Sequence, residues 1–416
     1  MYKYTNYCRL CLNKKIKIGI KLKKMPLGEK YSNKKSFINN FYKFPLSIGW
    51  CNNCKNIQTM EVVSSKLLWG DFTYLSSQTK AITDHFKVLS KQIIKRFKLT
   101  KSDMVLDIGS NDGSFLKFFK NKGIKVLGVD PASNVAKIAK KNGIETLVNF
   151  FGLKIAKKIK KKYKKAKIII CFNTFAHAEN MREIIKSINE ILDQNGIFIF
   201  ECQYLNDIYK KKILGTIFHE HMYHHSVTSL NNLFNSFNLD LFDAQRVNIQ
   251  KGSIIGFVCK KNERKISKNV KKFLKMEKNN GDTSFKKLKN FSNFISLQRN
   301  RSDKIMSKYK NKFVGAFGSA RSGPTLAINY NVSKYLSIIF DDHPLKVGKY
   351  SAFKGLKVHP TKEISTLKPA VLIVLAYLHL KKIIKKNKKY LIKNGKFLSL
   401  YPKVELISLK NYKKFI

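Results

Sequence analysis

The chain predicts an α/β protein built on doubly wound parallel sheets, with a small metal-stapled module in front. Three observations carry this expectation. Two C-x-x-C pairs, Cys8/Cys11 and Cys51/Cys54, open the chain. Met104–Gly109 is a short apolar strand that runs into a glycine-rich turn, Ser110-Asn-Asp-Gly113. Phe313–Gly323 then repeats the strand-and-turn pattern in the last third of the sequence.

A length of 416 residues exceeds one ordinary core and suggests two to three domains. Hydrophobic residues at 44% and aromatics at 12% exclude a disordered chain despite the lysine content. The formal charge of +56, from 82 Lys+Arg against 26 Asp+Glu, on its face indicates nucleic acid or an anionic membrane. The lysines are spread over every region and accompany abundant Asn and Ile, so a solvated, composition-driven coat is the preferred reading. The densest run, Lys154–Lys167, also fits an amphipathic helix with Leu153, Ile155, Ile159 and Tyr163 facing inward. No 18-residue apolar stretch and no signal-like N-terminus occurs, so a cytoplasmic protein without a membrane or nucleic-acid partner is expected. Cys171, Cys202 and Cys259 lie in apolar strand-like runs and read as inert core thiols.

Each N-terminal pair forms a knuckle whose sulfurs converge on one side of a tight turn, and two knuckles supply a tetrahedral four-thiolate zinc site. Two disulfides or a redox C-x-x-C are the competing readings, and the compartment and surroundings disfavour both. Structural Zn2+ on Cys8, Cys11, Cys51 and Cys54 is therefore expected. Four cysteine ligands leave no open position, so the metal folds the module and does no chemistry.

After the first strand and its turn, Ser114–Lys120 opens a helix, and Lys125–Asp130 is a second strand that ends in an acid 23 residues after Asp107. Pro131 follows at a helix start. This is a Rossmann-type βαβ unit, in which a cofactor lies across the carboxyl ends of the strands. The pattern D-x-G-x-x-x-G differs from the dinucleotide fingerprint and resembles motif I of class I S-adenosylmethionine-dependent methyltransferases. Asp107, Gly109, Asn111 and Gly113 then become the expected cofactor cradle, with Asp130 accepting hydrogen bonds from the ribose hydroxyls. Ala166–Asn173 and Gly196–Glu201 add strands, and Asn173 and His177 stand at the first one's end, His177 as a positioning group or a proton carrier.

The densest chemistry lies in Gly215–Ser226, which holds four of the nine histidines. His219, Glu220 and His221 are consecutive and cannot all face one metal from regular backbone, and the H-E-x-x-H spacing is absent. A second metal, a structural polar loop and a general base with its orienting carboxylate are the open readings, the base being preferred because His titrates near neutrality.

Beyond residue 260 a charged, helix-prone segment carries an apolar stripe of Phe273, Leu274, Leu288, Phe291, Phe294 and Ile295. The second glycine turn follows, then Tyr335–Asp342, a strand ending in acids, and the apolar strand Ala370–Ala376. This last unit either cradles a nucleotide or merely closes the cleft.

Taken together, C-R-x-C and C-x-x-C, Tyr74-Leu-Ser-Ser77, Leu106–Gly113, Asn173–His177, the His-Glu-His loop with Ser226–Leu230, Gly315–Gly323 and Asp341–Tyr350 resemble the sugar C-methyltransferase family. The resemblance implies a zinc module at 1–65, a class I methyltransferase domain at 66–260, a helical connector at 261–312 and a C-terminal Rossmann-like domain at 313–416. It implies S-adenosylmethionine as methyl donor and a nucleotide-linked keto-deoxysugar as acceptor. His221 becomes the base, with Glu220, Tyr74 and Ser77 around it. Phe218 stands where the family usually carries a tyrosine, and Gln250 where relatives more often have histidine. An O- or N-methyltransferase and a zinc-bearing nucleic-acid binder are the rival classes, and a monomer is expected.

Overall fold

A computed structural model describes residues 1–28, 30–35, 42–69 and 74–416. The N-terminal strands are β1 (Tyr2–Tyr4), β2 (Ile16–Met25), β3 (Tyr31–Ser32), β4 (Phe44–Cys51), β5 (Ile57–Thr59) and β6 (Glu61–Val63). β2, β4 and β5 form an antiparallel sheet, and β1 pairs with β6. The short helix α1 (Ser65–Trp69) follows.

Seven strands form the central sheet: β7 (Met104–Ile108), β8 (Lys125–Asp130), β9 (Thr146–Val148), β10 (Ala166–Phe172), β11 (Leu192–Gln203), β12 (Leu239–Val247) and β13 (Ser253–Lys260). Their order is β12-β13-β11-β10-β7-β8-β9, and β13 alone runs antiparallel to its neighbours. The chain leaves β7 towards β8 on one side and reaches β10 on the other. The topological switch point, where such sheets bind ligands, therefore lies between the carboxyl ends of β7 and β10.

Helices cover both faces because each strand is apolar on both sides. On one face lie α2 (Lys80–Phe97), α3 (Leu116–Lys120) and α4 (Ser133–Lys141), and Phe86, Leu89 and Ile93 of α2 pack with Val105, Ile168, Ile170 and Ile199. The other face holds α5 (Leu153–Tyr163), α6 (Met181–Ile191), the short α7 (Leu205–Lys211) and α8 (Val227–Asn235). In α5 the inward stripe is centred on Ala156 and Ile159, with Ile155 and Tyr163 partly buried, while the lysines point outward. Helix α8 begins at a capping box between Ser226 and Ser229, which fixes where the histidine loop ends.

The segment after residue 260 forms α9 (Lys268–Asn279) and α10 (Phe285–Met306), with Leu288, Phe291 and Ile295 buried. A second sheet contains β14 (Val314–Phe317), β15 (Ile338–Phe340), β17 (Val358–His359), β18 (Val371–Val374), β19 (Lys396–Ser399) and β20 (Glu405–Ile407). It is parallel except for β20, and α11 (Gly323–Asn329) leaves the glycine turn after β14. The small strand β16 (Tyr350–Ser351) pairs with β3 of the N-terminal module.

The module is wedged between the two larger units. Cys8, Leu10, Phe44 and Val62 belong to the core of the central sheet, whereas Ile20, Leu22, Leu46 and Ile48 share a core with Val314, Leu326 and Ile373 of the second sheet. A Cβ on Gly28 would lie 2.1 Å from the Arg321 carbonyl oxygen, so the module's backbone touches the second glycine turn directly. Among the described residues no helix is long and apolar enough to cross a membrane.

Candidate active site

The four cysteines meet as their spacing requires. In each pair the first cysteine's amide donates to a carbonyl five residues on, Cys8 to Asn13 at 2.8 Å and Cys51 to Asn56 at 2.9 Å. The residue after each pair, Leu12 or Lys55, turns left-handed and donates its amide back to that cysteine's carbonyl. Two matching knuckles bring the four Sγ atoms within 4.8 Å of one another. All seven cysteines are free thiols. Hydrogen bonding from Cys54 and Cys8 pulls Cys51 down to about 2, and the same proximity to Cys51 pushes Cys8 up to about 12. Such a set of four sulfurs fits Zn2+, whose charge allows all four to ionise together. Cys171 and Cys202 are buried in the central sheet, and burial pushes both thiols up.

The glycine turn after β7 is shaped by left-handed residues. Gly109 has φ +75°, and a Cβ there would meet Thr174 Oγ1 at 2.4 Å, so only glycine fits between the turn and the end of β10. Asn111, Gly113 and Asn173 are left-handed as well. Asp130, at the end of β8, accepts from the Asn111 amide through one oxygen and from the Ala132 amide through the other, both at 2.9 Å. Burial raises its carboxyl, and burial followed by the charge of Asp130 raises Asp107 well above the ordinary carboxylate range. Two buried carboxyls flanking a glycine turn suit a ligand that brings an ammonium and ribose hydroxyls.

The segment before α2 docks on this turn. Asn111 Nδ2 donates to the Tyr74 carbonyl at 3.1 Å, its Oδ1 accepts from the Ser76 amide at 3.0 Å, and Asp112 accepts from the Ser77 amide at 3.0 Å. Tyr74 and Ser77 are thereby tied to the glycine turn through their backbone. The Tyr74 hydroxyl lies 3.3 Å from Thr79 Oγ1, and burial raises its pKa.

Beyond the end of β10, His221 sits in an aromatic cluster. Its ring is 4.0 Å from that of Phe218 and 5.1 Å from that of His177, which in turn stacks on Trp69 at 4.9 Å. His221 Nδ1 is 2.6 Å from the Thr216 carbonyl oxygen. A carbonyl can only accept, so Nδ1 carries the proton and Nε2 is the basic atom. Burial lowers His221 to about 4 and holds His177 well below the ordinary histidine range. Both rings are neutral at pH 7.

The sequence pointed to Glu220 as the carboxylate that orients His221. The Nδ1 partner in the structure is the Thr216 carbonyl, and Glu220 forms a part-buried ion pair with Arg321 of the second glycine turn. The charge of Arg321, in the C-terminal unit, also bears on Tyr74, His177 and His221. The neighbouring histidines of the loop face elsewhere. His219 bonds the Pro45 carbonyl at 3.1 Å, and His225 is fully buried between Phe175 and Tyr223. Arg321, Thr216 and Trp69 join the candidate site through these contacts, and none was singled out in the sequence. Only Arg321 left a sequence signal, as the cation inside the glycine turn Gly315–Gly323.

Three family models match in tandem. Residues 8–69 match one described as "Putative zinc binding domain", 82–244 match Methyltransferase domain, and 248–402 match C-methyltransferase C-terminal domain. The C-methyltransferase NovU of Streptomyces niveus is 26% identical over 372 residues, covering 88% of this chain and 89% of its own. The chain is thus similar along nearly its whole length to a C-methyltransferase, with a methyltransferase domain at its centre. The protein is an S-adenosylmethionine-dependent methyltransferase, and its N-terminal domain is a four-cysteine zinc-binding module. A 128-residue stretch is 30% identical to the uncharacterized protein MJ1252 of Methanocaldococcus jannaschii, covering 30% of this chain and 46% of that one. Among solved structures, a Pyrococcus horikoshii protein covers 45% of the chain and 95% of its own, at 18% identity and a TM-score of 0.37.

Proposed function

We propose that the protein deprotonates a carbon beside the carbonyl of a nucleotide-linked keto-deoxysugar and methylates it, with His221 as the base. The observation that carries this reading is the Nδ1 bond from His221 to Thr216, which leaves Nε2 as a preset proton acceptor in a stacked, half-buried ring. The cofactor-binding role of Asp107, Gly109, Asn111, Gly113, Asp130, Asn173 and His177 is supported by their gathering around the switch point of the central sheet. His221 takes the acidic proton, and polar groups around the carbonyl oxygen stabilise the enolate. Bound S-adenosylmethionine supplies an electrophilic methyl to the enolate carbon and leaves as S-adenosylhomocysteine. Arg321, paired with Glu220, supports the acceptor's anionic end by its charge, and Tyr74 contributes a hydroxyl at the crevice wall. Ser77 acts with them as part of the docked segment. Free thiols throughout the chain support a reducing, cytoplasmic setting.

The test is mass spectrometry and NMR of a panel of nucleotide keto-sugars incubated with enzyme and S-adenosylmethionine, repeated with His221→Asn. A new carbon-bound methyl is expected. The variant should lose ~10²–10⁴-fold in turnover while binding the cofactor as before. A methyl on oxygen or nitrogen sinks the carbon-acid reading. A variant within about tenfold of wild type sinks the base assignment.

A further inference from the structure

Arg9, inside the first metal knuckle, is 5% exposed, yet no ion pair involving it occurs among the described residues. A buried guanidinium is costly unless its donors are satisfied. Here they are satisfied by two pieces of chain far apart in sequence. Nη1 donates to the Thr59 carbonyl at 2.7 Å, and Nη2 donates to the Met222 carbonyl at 2.8 Å and to Thr59 Oγ1 at 3.4 Å. Nε donates to the Tyr223 hydroxyl at 3.3 Å, and the guanidinium lies 4.9 Å over the Tyr223 ring. Met222 directly follows His221 and is fully buried, and its own amide donates to the Ala176 carbonyl, beside His177, at 2.9 Å.

We infer that Arg9 is a positioning residue for the proposed base. It clamps edge strand β5 to residues 222–223, and so fixes the loop in which the His221 ring meets the Thr216 carbonyl and stacks on Phe218 and His177. The planar fork suits this task because it meets two carbonyls and a phenol in fixed directions, which an ammonium cannot do. The clamp joins the cysteine knuckle at Cys8 and Cys11 to the catalytic loop through one side chain. The inference concerns how His221 is held, and its importance for catalysis rests on the base reading above.

The test uses the full-length zinc-loaded protein with 15N-labelled histidine, the His221 signals being assigned by comparison with His221→Asn. In wild type His221 should show protonated Nδ1 and bare Nε2. Arg9→Met should keep its zinc and its S-adenosylmethionine affinity, while His221 becomes a mixture of tautomers, and turnover should fall about 10- to 100-fold as the base is misplaced. Arg9→Lys should fall between the two. Zinc retention with an unchanged His221 tautomer in Arg9→Met overturns the inference. So does loss of zinc from both variants, which would make Arg9 a support of the metal. The tautomer readout needs no substrate, so an active His221→Asn enzyme would sink the base reading and leave this one standing.

Discussion

At the scale of single residues, the role proposed for His221 depends on its protonation state. A base must be neutral to act, and burial lowers this ring to about 4, with the Thr216 carbonyl opposing the shift. Its neutral form is therefore fully present above about pH 5 and is lost only as pH falls through about 4. The base-dependent part of kcat/KM should be flat from pH 5.5 to 8, and an acid limb centred near 6.5 would show a solvated, unperturbed imidazole. Phe218 keeps a close ring contact with His221 but offers no hydroxyl, so whatever polar contact a tyrosine would make there is left to other groups. The sequence singled out His221 as a candidate, because a histidine cluster in a loop is rare enough to draw attention. Its Nδ1 partner left no such signal. A backbone carbonyl has no residue type, and the carboxylate next to it in sequence turns instead to Arg321, 101 positions away.

At the scale of elements, the histidine loop is a strap between the module and the end of β10. Thr59 and Met222 share a backbone bond at 3.0 Å, and the His224 amide reaches the Ile57 carbonyl at 2.9 Å. The strap carries an internal weakness in His225, whose two ring nitrogens have no hydrogen-bond partner among the described residues. Burial lowers its pKa to about 3, whereas an unfolded chain protonates its histidines near 6.5. The unfolded state thus binds the extra proton at intermediate pH. The stability linked to His225 is intact above about 6.5 and is lost progressively as pH falls towards 3. His225→Phe keeps the stack on Phe175 and Tyr223 and removes this loss. It should match or exceed wild type in denaturant unfolding at pH 7, and its advantage should widen by about 2 kcal/mol at pH 5. An advantage independent of pH would mean that the ring is hydrated in the folded protein. The βαβ units were readable because an apolar strand, a glycine turn and a terminal acid are local signals. The docking of Tyr74–Ser77 on Asn111 was not readable, since it rests on backbone amides that any sequence supplies.

At the scale of the whole molecule, the linear order of module, methyltransferase unit, helices and second α/β unit conceals that the first piece is the wedge between the other two. Pattern alone places each core within its own segment. It cannot show that Leu10 and Val62 complete one core while Ile20 and Ile48 complete another, because alternating apolar faces on β2 and β4 are compatible with any pair of partners. The consequence concerns zinc. Four-thiolate sites in small modules supply ~10–16 kcal/mol to folding, comparable to or larger than the ~5–15 kcal/mol that holds a whole domain. Without the metal, the cysteine knuckles lose their common anchor, and the apolar surfaces that the module covers on both neighbours open to water. Chelation should therefore lower the melting temperature of the entire chain as one transition, with dye-binding apolar surface appearing together with loss of cofactor affinity. Calorimetry in which the main transition stays in place, while only a small early event is added, would show that the two α/β units fold without the wedge.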